Sequence, residues 1–430
     1  MSKEVGEVLA QPITINGHRL RNRVVMGPMA ANAPTAEGGP SEQTIAFYAA
    51  RAKGGVGMIV AGGIVATARS YAEAPGKRSL RFDVDTFIPD LERVADAVHA
   101  HGVPIIAEIM PGFGVMGKPG AGRPTISASP RRTVIPENRL PKGMLVPGGI
   151  TTCVPDEATI SEIELYEREM IQSAIHAQRA GWDGVEVAAH MSYFAASFLS
   201  PRTNWRTDQY GGSAANRSRM MSNIVAGIRE RLRSNFIVGL RIVADDYMPD
   251  GQGAAGYAEV ARNIAAHGVD YVALVPGCYE SMDKNASAKD GVLVEDGVAQ
   301  AFRDAISVPI ILQGQHDPAN GAAAIRRGLA DMVSVARPML ADPEYAVKAT
   351  SGRSHEIVQC DRDNLCVRRM IFNMPVRCSV NPGMGREERK SGRMPPLSRL
   401  VQAPVESAVL ALTGSKALMG IASKLAPKKS

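Results

Sequence analysis

Three of the five cysteines of this 430-residue chain fall within nineteen residues, a clustering typical of metal or cluster ligands. They are Cys360, Cys366 and Cys378, whereas Cys153 and Cys278 stand apart. An odd number of cysteines argues against a disulfide framework. Thiolates are preferred ligands of zinc and of iron–sulfur clusters. The segment after residue 350 is therefore a candidate metal site.

A single arginine, Arg241, interrupts an otherwise apolar run at 237–242. A buried charge is costly unless it is paired, so this side chain must meet an anion or an electron-rich group. One possibility is a flavin ring, whose negative charge on reduction an arginine would stabilise. The other is a structural ion pair with Asp245, Asp246 or Glu108.

Two further positions are suited to binding phosphate. Gly314 follows an apolar run at 309–313, and Arg337 follows another at 332–335. A glycine lets backbone N–H groups approach a phosphate, and a guanidinium matches its oxygens with paired hydrogen bonds. The alternative is a turn glycine and a surface arginine without a ligand.

The elements that must hold these residues repeat along the chain. Eight short apolar runs, each typical of a strand buried on both faces, alternate with longer helical patterns. The predicted strands are 23–28, 57–61, 104–109, 184–187, 237–242, 271–275, 309–313 and 332–335. The predicted helices are 41–53, 86–101, 161–180, 214–233, 256–266, 298–305, 318–327 and 343–350.

Eight strand–helix repeats predict an α/β fold, a closed parallel (β/α)8 TIM barrel, with a C-terminal cysteine-cluster extension and a short helical tail. An open doubly wound sheet would place a glycine-rich dinucleotide turn after the first strand, and none is present. In a barrel, chemistry takes place where the strands end, and the loops after strands seven and eight often bind phosphate. Gly314 and Arg337 lie in those two loops. The long segment at 110–160 is predicted to be a loop over the same mouth.

The pattern divides the chain into a barrel at 1–350, a cysteine segment at 351–390 and a tail at 391–430. The tail holds two amphipathic helical patterns, 397–412 and 416–425. We expect it to pack on the barrel or to fray as a chain end, with membrane-surface or partner docking as the alternative.

Composition fits a globular enzyme, with 45% hydrophobic and 21% charged residues and a formal net charge of +6. The small excess of positive charge favours anionic ligands and gives no nucleic-acid footprint. Glu4 and Glu7 lie among the first seven residues, where a signal peptide needs an apolar run, and no apolar stretch has the length of a membrane span. We therefore expect a cytoplasmic location.

Several motifs carry a family resemblance. AGWDGVEV at 180–187 and FLSPRTNWRTDQYGGS at 198–213 resemble the old yellow enzyme family of NADH:flavin oxidoreductases. So do RNRVVMGPM at 21–29 and GLADMV at 328–333. The resemblance covers residues 11–390. It implies a (β/α)8 barrel that binds FMN at its mouth.

The resemblance also implies the residues that hold the cofactor. Those lining the ring are Pro28, Met29 and Ala30 after strand one, and Ala61 and Gly62 after strand two. Glu108 occupies a position where the family usually has a glutamine, and Arg241 occupies the contact to flavin N1 and O2. The phosphate residues are Gly314, Gln315, Ala336 and Arg337. Since a carboxylate donates no hydrogen bond unless protonated, we predict that Glu108 pairs with Arg241 or carries a proton.

Within the family the chain is most similar to an iron–sulfur subgroup that includes 2,4-dienoyl-CoA reductase and trimethylamine dehydrogenase. That subgroup has four cysteines followed by a Val-Asn-Pro stretch. Here the order is Cys360, Asp363, Cys366 and Cys378, with Val-Asn-Pro at 380–382. The preserved spacing implies a [4Fe–4S] cluster with Asp363 as fourth ligand, because a carboxylate can also bind iron. A three-iron cluster and a degenerate site without iron are the alternatives.

Family members often carry a His-x-x-His or His-x-x-Asn pair after strand four. Ungapped alignment puts Ala188 and Met191 there, whereas a one-residue shift puts His190 on the second position. His190 is then the candidate for polarising a substrate carbonyl, against a purely structural role. Tyr193 and Tyr279, the latter at a catalytic histidine position of the dienoyl-CoA reductases, are candidate proton donors or substrate-stacking walls.

The leading hypothesis is an FMN- and Fe–S-dependent enzyme that reduces an activated C=C bond of a small-molecule substrate. The alternatives are an amine dehydrogenase or demethylase, and a degenerate flavin barrel that serves as an electron-transfer subunit. No dinucleotide fingerprint follows the cysteine segment. We therefore expect a redox partner protein, namely a ferredoxin, a flavoprotein or a separate subunit, to dock near residues 360–378; homo- or hetero-oligomerisation is left open.

Overall fold

Eight parallel strands form a closed barrel in the computed structural model, which describes residues 2–74, 76, 78–120, 123–286, 289–388, 397–413 and 415. The strands are β1 (Val24–Met26), β2 (Met58–Val65), β3 (Ile105–Met110), β4 (Gly184–Ala189), β5 (Ile237–Asp245), β6 (Tyr271–Pro276), β7 (Ile310–Gln313) and β8 (Met332–Val335). Each strand pairs with the next along the chain, and β8 pairs with β1. The predicted (β/α)8 barrel is confirmed.

The strands are parallel and buried because helices cover their outer faces. The helices are α1 (Ser2–Leu9), α2 (Glu42–Lys53), α3 (Ala68–Glu73), α4 (Ile88–His99), α5 (Ile160–Arg179), α6 (Phe194–Leu199), α7 (Ala214–Arg231), α8 (Ala254–Ala265), α9 (Met282–Asn285), α10 (Val292–Glu295), α11 (Val298–Ala305), α12 (Pro318–Arg326), α13 (Arg337–Ala341), α14 (Tyr345–Thr350), α15 (Leu365–Ile371) and α16 (Leu397–Thr413). The two longest α-helices of the barrel, α5 and α7, begin at polar N-capping residues. Thr159 and Glu162 form a capping box on α5, and Ser213 caps α7.

A short hairpin of Ile13–Ile15 and His18–Leu20 precedes β1. Its side chains Ile15 and Leu20 pack with residues from the first half of the barrel strands, such as Val25 and Ile106. This apolar cluster fills the end of the barrel opposite the mouth. The functional residues are therefore confined to the end where the strands finish.

Two small sheets lie within the long loop between β3 and α5. Ile126–Ser127 pairs with Asp156–Glu157, and Val134–Ile135 pairs with Ile150–Thr151. The sequence shows no periodicity there because each strand is two residues long. The predicted loop is thus ordered, and it covers one side of the mouth.

The helical pattern at 397–412 is confirmed as α16. Its carbonyl at Leu410 accepts a hydrogen bond from Arg368 Nη2 (2.8 Å), and Glu406 pairs with Arg369. α16 therefore packs against α15, a helix that lies within the cysteine segment. The pattern at 416–425 lies outside the described residues. No helix in the described part of the chain combines the length and apolarity that crossing a bilayer requires.

Candidate functional site

A cavity opens at the mouth of the barrel and contains about 1180 Å³ of empty space, its open entrance included. Sequence-predicted residues in its wall are Pro28, Met29, Ala30, Glu108, His190, Tyr193, Arg241, Tyr279, Gly314, Ala336 and Arg337. Three others are outside the wall. Ala61 and Gly62 are buried within β2, where Gly63 takes the place in the wall, and Gln315 is 1% exposed with its Nε2 unbonded.

Close backbone packing shapes the floor of this cavity. A Cβ added at Gly62 would lie 2.6 Å from the carbonyl carbon of Pro28. Only a glycine therefore lets the loop after β1 approach β2 so closely. Gly62 positions the wall residues Pro28 and Met29 rather than lining the cavity itself.

The charged centre of the site is Glu108, which is buried at the end of β3. Its Oε1 lies 2.9 Å from His190 Nε2 and 3.5 Å from Arg241 Nε. Its Oε2 accepts a hydrogen bond from the backbone N–H of Gly63 (3.2 Å). The predicted pairing of Glu108 with Arg241 is present.

Glu108 is held as a carboxylate by these partners. Burial alone would raise its pKa, but the hydrogen bond and charge of His190, together with Arg241, outweigh burial and lower the pKa of Glu108. His190 therefore faces an anion through Nε2. Its other ring nitrogen, Nδ1, has no partner within the described residues.

A second carboxylate, Glu186 on β4, was missed by the sequence reasoning. Its Oε1 lies 3.6 Å from Arg241 Nη1, and its side chain is 1% exposed. Burial raises the pKa of Glu186 to about 7; the charge of Arg241 opposes this shift and that of Glu108 adds to it. The signal was available: Glu186 and Glu108 are register partners on neighbouring strands, so both point into the barrel.

Tyr193 and Tyr279 are in contact within the cavity wall. Their hydroxyl oxygens are 2.8 Å apart, and the backbone N–H of Tyr279 donates to Ser192 Oγ (3.2 Å). Burial raises the pKa of both phenols, so both keep their protons at neutral pH. The Tyr193 ring also makes edge-to-face contacts with His190 and Phe113. The three sequence-predicted catalytic candidates therefore form one aromatic wall.

The predicted phosphate end lies at the opposite side of the cavity. Gly314 has φ +88°, which favours glycine, and a Cβ there would meet open space. Arg337 Nη1 donates to Asn364 Oδ1 (2.8 Å), which ties this end to the cysteine segment. His316 also lines the cavity, and burial followed by the charge of Arg337 lowers its pKa to about 3, so it is neutral.

The cysteine segment brings its three thiols near one another. Cys366 is buried and Cys360 and Cys378 are half-buried. Burial raises the pKa of Cys360 and that of Cys366, the latter to about 12, and the charges of the other thiols add to both shifts. Asp363 Oδ1 accepts a hydrogen bond from the backbone N–H of Leu365 (3.1 Å). Across the described residues, no three His, Cys, Asp or Glu side chains are gathered closely enough to bind a metal ion.

Comparison with known proteins agrees with this architecture. The profile of the "NADH:flavin oxidoreductase / NADH oxidase family" matches residues 8–356. The chain is 32% identical over 410 residues to an NADH oxidase of Thermoanaerobacter brockii, covering 93% of the chain and 58% of the relative. It is 30% identical over 408 residues to a cinnamate reductase of Clostridium sporogenes, covering 90% and 59%.

A solved complex of 2-naphthoyl-CoA reductase with 2-naphthoyl-CoA is also similar. It superposes with a TM-score of 0.79 at 27% identity, covering 91% of this chain and 59% of that one. The chain thus spans less than two thirds of the length of each of these relatives.

Proposed function

Because the chain belongs to the NADH:flavin oxidoreductase / NADH oxidase family of flavin-dependent enzymes, we propose that it binds FMN at the barrel mouth and reduces an activated C=C bond. The observation that carries this proposal is the arrangement of the cavity wall. His190, Tyr193 and Tyr279 stand on one side, and Arg241 lies in the same cavity next to Glu108. The cinnamate reductase relative supports an alkene conjugated to an acid group as substrate.

The residues present fit FMN. Gly62 lets the loop after β1 pack tightly, and Gly314 leaves open space beside Arg337 for a phosphate group. Pro28, Met29 and Ala30, with Ala61 and Gly62 behind them, would hold the ring. Arg241 and Glu108 would face its pyrimidine edge. The phosphate would be held by Gly314, Gln315, Ala336 and Arg337.

When bound, FMN supplies a hydride from N5 to the β-carbon of the alkene. His190 then has a defined task. In its doubly protonated form the ring donates Nε2–H to Glu108 and Nδ1–H to the carbonyl or carboxylate oxygen of the substrate. This hydrogen bond withdraws electron density and favours attack at the β-carbon. Glu108 holds the imidazole in the required orientation.

One of the two tyrosines delivers the proton to the α-carbon. Because the hydroxyls are hydrogen-bonded at 2.8 Å, one phenol donates to the other and the second keeps a free O–H for the substrate. Burial holds both protons until a strong base forms. The carbanion left by hydride addition is such a base.

The proposal includes a [4Fe–4S] cluster bound by Cys360, Cys366 and Cys378 with Asp363 as fourth ligand. It is supported by the preserved spacing of these residues in the sequence, whereas the described side chains are not gathered closely enough to bind a metal ion. Asp363 Oδ1 accepts the hydrogen bond from Leu365, so Oδ2 would be the oxygen that binds iron. Electrons would come from a redox partner protein docking at this segment.

A second candidate function, oxidation of an amine, is favoured by one observation. The rings of Phe113, Tyr193 and Tyr279 form a continuous edge-to-face row with His190 beside it. Aromatic faces of this kind attract substituted ammonium groups. The direction of electron flow separates the two candidates.

The test is anaerobic and uses the photoreduced holoprotein. We expect cinnamate, 2-cyclohexenone or an enoyl-CoA to reoxidise the bound flavin in a stopped-flow experiment. If no alkene reoxidises the flavin, while dimethylglycine or trimethylamine reduces the oxidised protein, amine oxidation replaces alkene reduction as the proposed function. Failure of both sets, despite bound flavin, would favour a catalytically degenerate electron-transfer subunit.

A further inference from the structure

Inside the barrel, one guanidinium serves two carboxylates. Arg241 Nε lies 3.5 Å from Glu108 Oε1, and Arg241 Nη1 lies 3.6 Å from Glu186 Oε1. All three side chains are at most 6% exposed. The remaining Arg241 nitrogen, Nη2, donates to Gln313 Oε1. The two acids therefore share one buried guanidinium.

The two acids are not equivalent. Glu108 accepts hydrogen bonds from His190 Nε2 and from the backbone of Gly63, in addition to facing Arg241. Within the described residues, neither oxygen of Glu186 accepts a well-formed hydrogen bond. The groups facing Glu186 are Arg241 from β5, Glu108 from β3 and the phenol of Tyr271 from β6. A buried charge without donors is disfavoured, so a shared proton belongs on Glu186.

We propose that Glu186 is a buried proton acceptor that sets the net charge behind the flavin, acting through Arg241. This inference rests on the proposed binding of FMN over Arg241. When two electrons and one proton from solvent enter the flavin, the ring gains one negative charge. Glu186 then takes a second proton from solvent and becomes neutral. The positive charge of Arg241 is then no longer shared with Glu186 and can balance the negative charge of the ring. Oxidation returns that proton to solvent.

Glu186 is thus a positioning residue rather than a catalytic one, because it acts through Arg241. Its signature is a proton count that depends on pH. Within the interval between the Glu186 pKa of the oxidised and of the reduced protein, reduction takes up between one and two protons per two electrons. At pH values outside this interval, reduction takes up one proton per two electrons.

The experiment measures the midpoint potential of bound FMN against pH, from pH 5.5 to 8.5, in wild type, Glu186→Gln and Glu164→Gln. Glu164 is an exposed residue of α5 and serves as the matched control. In wild type and Glu164→Gln, we expect the midpoint potential to fall more steeply with pH over part of the range. In Glu186→Gln, we expect the slope for one proton per two electrons over the whole range. Parallel profiles for all three proteins would overturn the inference.

Two further measurements keep the result interpretable. Infrared difference spectra on reduction should show a protonated-carboxyl band that is lost in Glu186→Gln; its absence in wild type would contradict the proposal. If the variant does not fold, a pH indicator in a weakly buffered solution of the wild-type protein reports how many protons are taken up on reduction. A constant value of one proton per two electrons at every pH would refute the proposal. Absence of FMN binding would sink the proposed function instead, and an infrared titration of the flavin-free protein would still report the proton on Glu186.

Discussion

His190 Nε2 lies 2.9 Å from Glu108 Oε1, so an anion at the end of β3 fixes the imidazole of the loop after β4. The same carboxylate faces Arg241 at 3.5 Å. A family glutamine at this position would accept a hydrogen bond but carry no charge. The glutamate therefore links His190 to Arg241, which we propose lie on the substrate side and on the flavin side of the cavity.

We expect Glu108→Gln to lower kcat/KM roughly 10- to 100-fold, because His190 loses the negative partner of its doubly protonated form. It should also remove a pH effect on stability. The pKa of Glu108 is lower in the folded than in the unfolded chain, so the carboxylate stabilises the fold above the usual value of about 4.3. That contribution is lost as pH falls through the lowered pKa.

Urea denaturation between pH 3 and 7 checks the second effect. The free energy of unfolding of wild type should exceed that of Glu108→Gln at about pH 5, and the difference should shrink below about pH 4. A difference that is independent of pH would show that Glu108 is not held as a carboxylate.

Replacing the tyrosine that protonates the substrate should slow substrate-dependent flavin reoxidation roughly 100-fold, because the carbanion loses its acid. Tyr193→Phe and Tyr279→Phe are compared by stopped flow, with FMN content as the folding control. We expect one variant to show the full loss and the other a smaller one, since the second phenol only orients the first. Rates within threefold of wild type for both variants would assign the pair to substrate stacking.

Gly62→Ala should destabilise the protein by about 1–3 kcal/mol and weaken FMN binding, because the added methyl group overlaps the backbone of Pro28. Gly120→Ala is the control, since a Cβ there has no neighbour within 4 Å among the residues that the structure describes. Thermal unfolding and flavin titration provide the two readouts. Equal behaviour of the two variants would mean that the loop after β1 moves away at no cost.

Asp363→Cys should raise the iron content after anaerobic reconstitution and slow cluster loss in air, because a fourth thiolate replaces a harder carboxylate. Asp363→Ala, which removes the ligand, should retain less iron than wild type. Iron and acid-labile sulfide per chain are the measurements. Fewer than one iron per wild-type chain, unchanged in Asp363→Cys, would argue for a degenerate site.

The eight strands and their order were predictable from the sequence, because a strand buried on both faces must be apolar along its whole length. Met332–Val335 agrees with its predicted bounds, and the other seven strands differ from theirs only at the ends. The two-residue strands of the long loop gave no such signal, since a period cannot be recognised in two residues.

The sequence by itself determined the barrel, its mouth and the residue types found there, since hydrophobic periodicity and motif spacing are local properties of the chain. Tertiary structure decided which of those residues meet. His190 could not be matched to Glu108, nor Tyr193 to Tyr279, because each pair is more than eighty residues apart. Glu186 was overlooked because the role of a carboxylate within an apolar run depends on the residues of the neighbouring strand, which the run itself does not reveal. Barrel closure puts one arginine between two acids, and the hydrogen bonds that Glu108 receives favour a proton on Glu186.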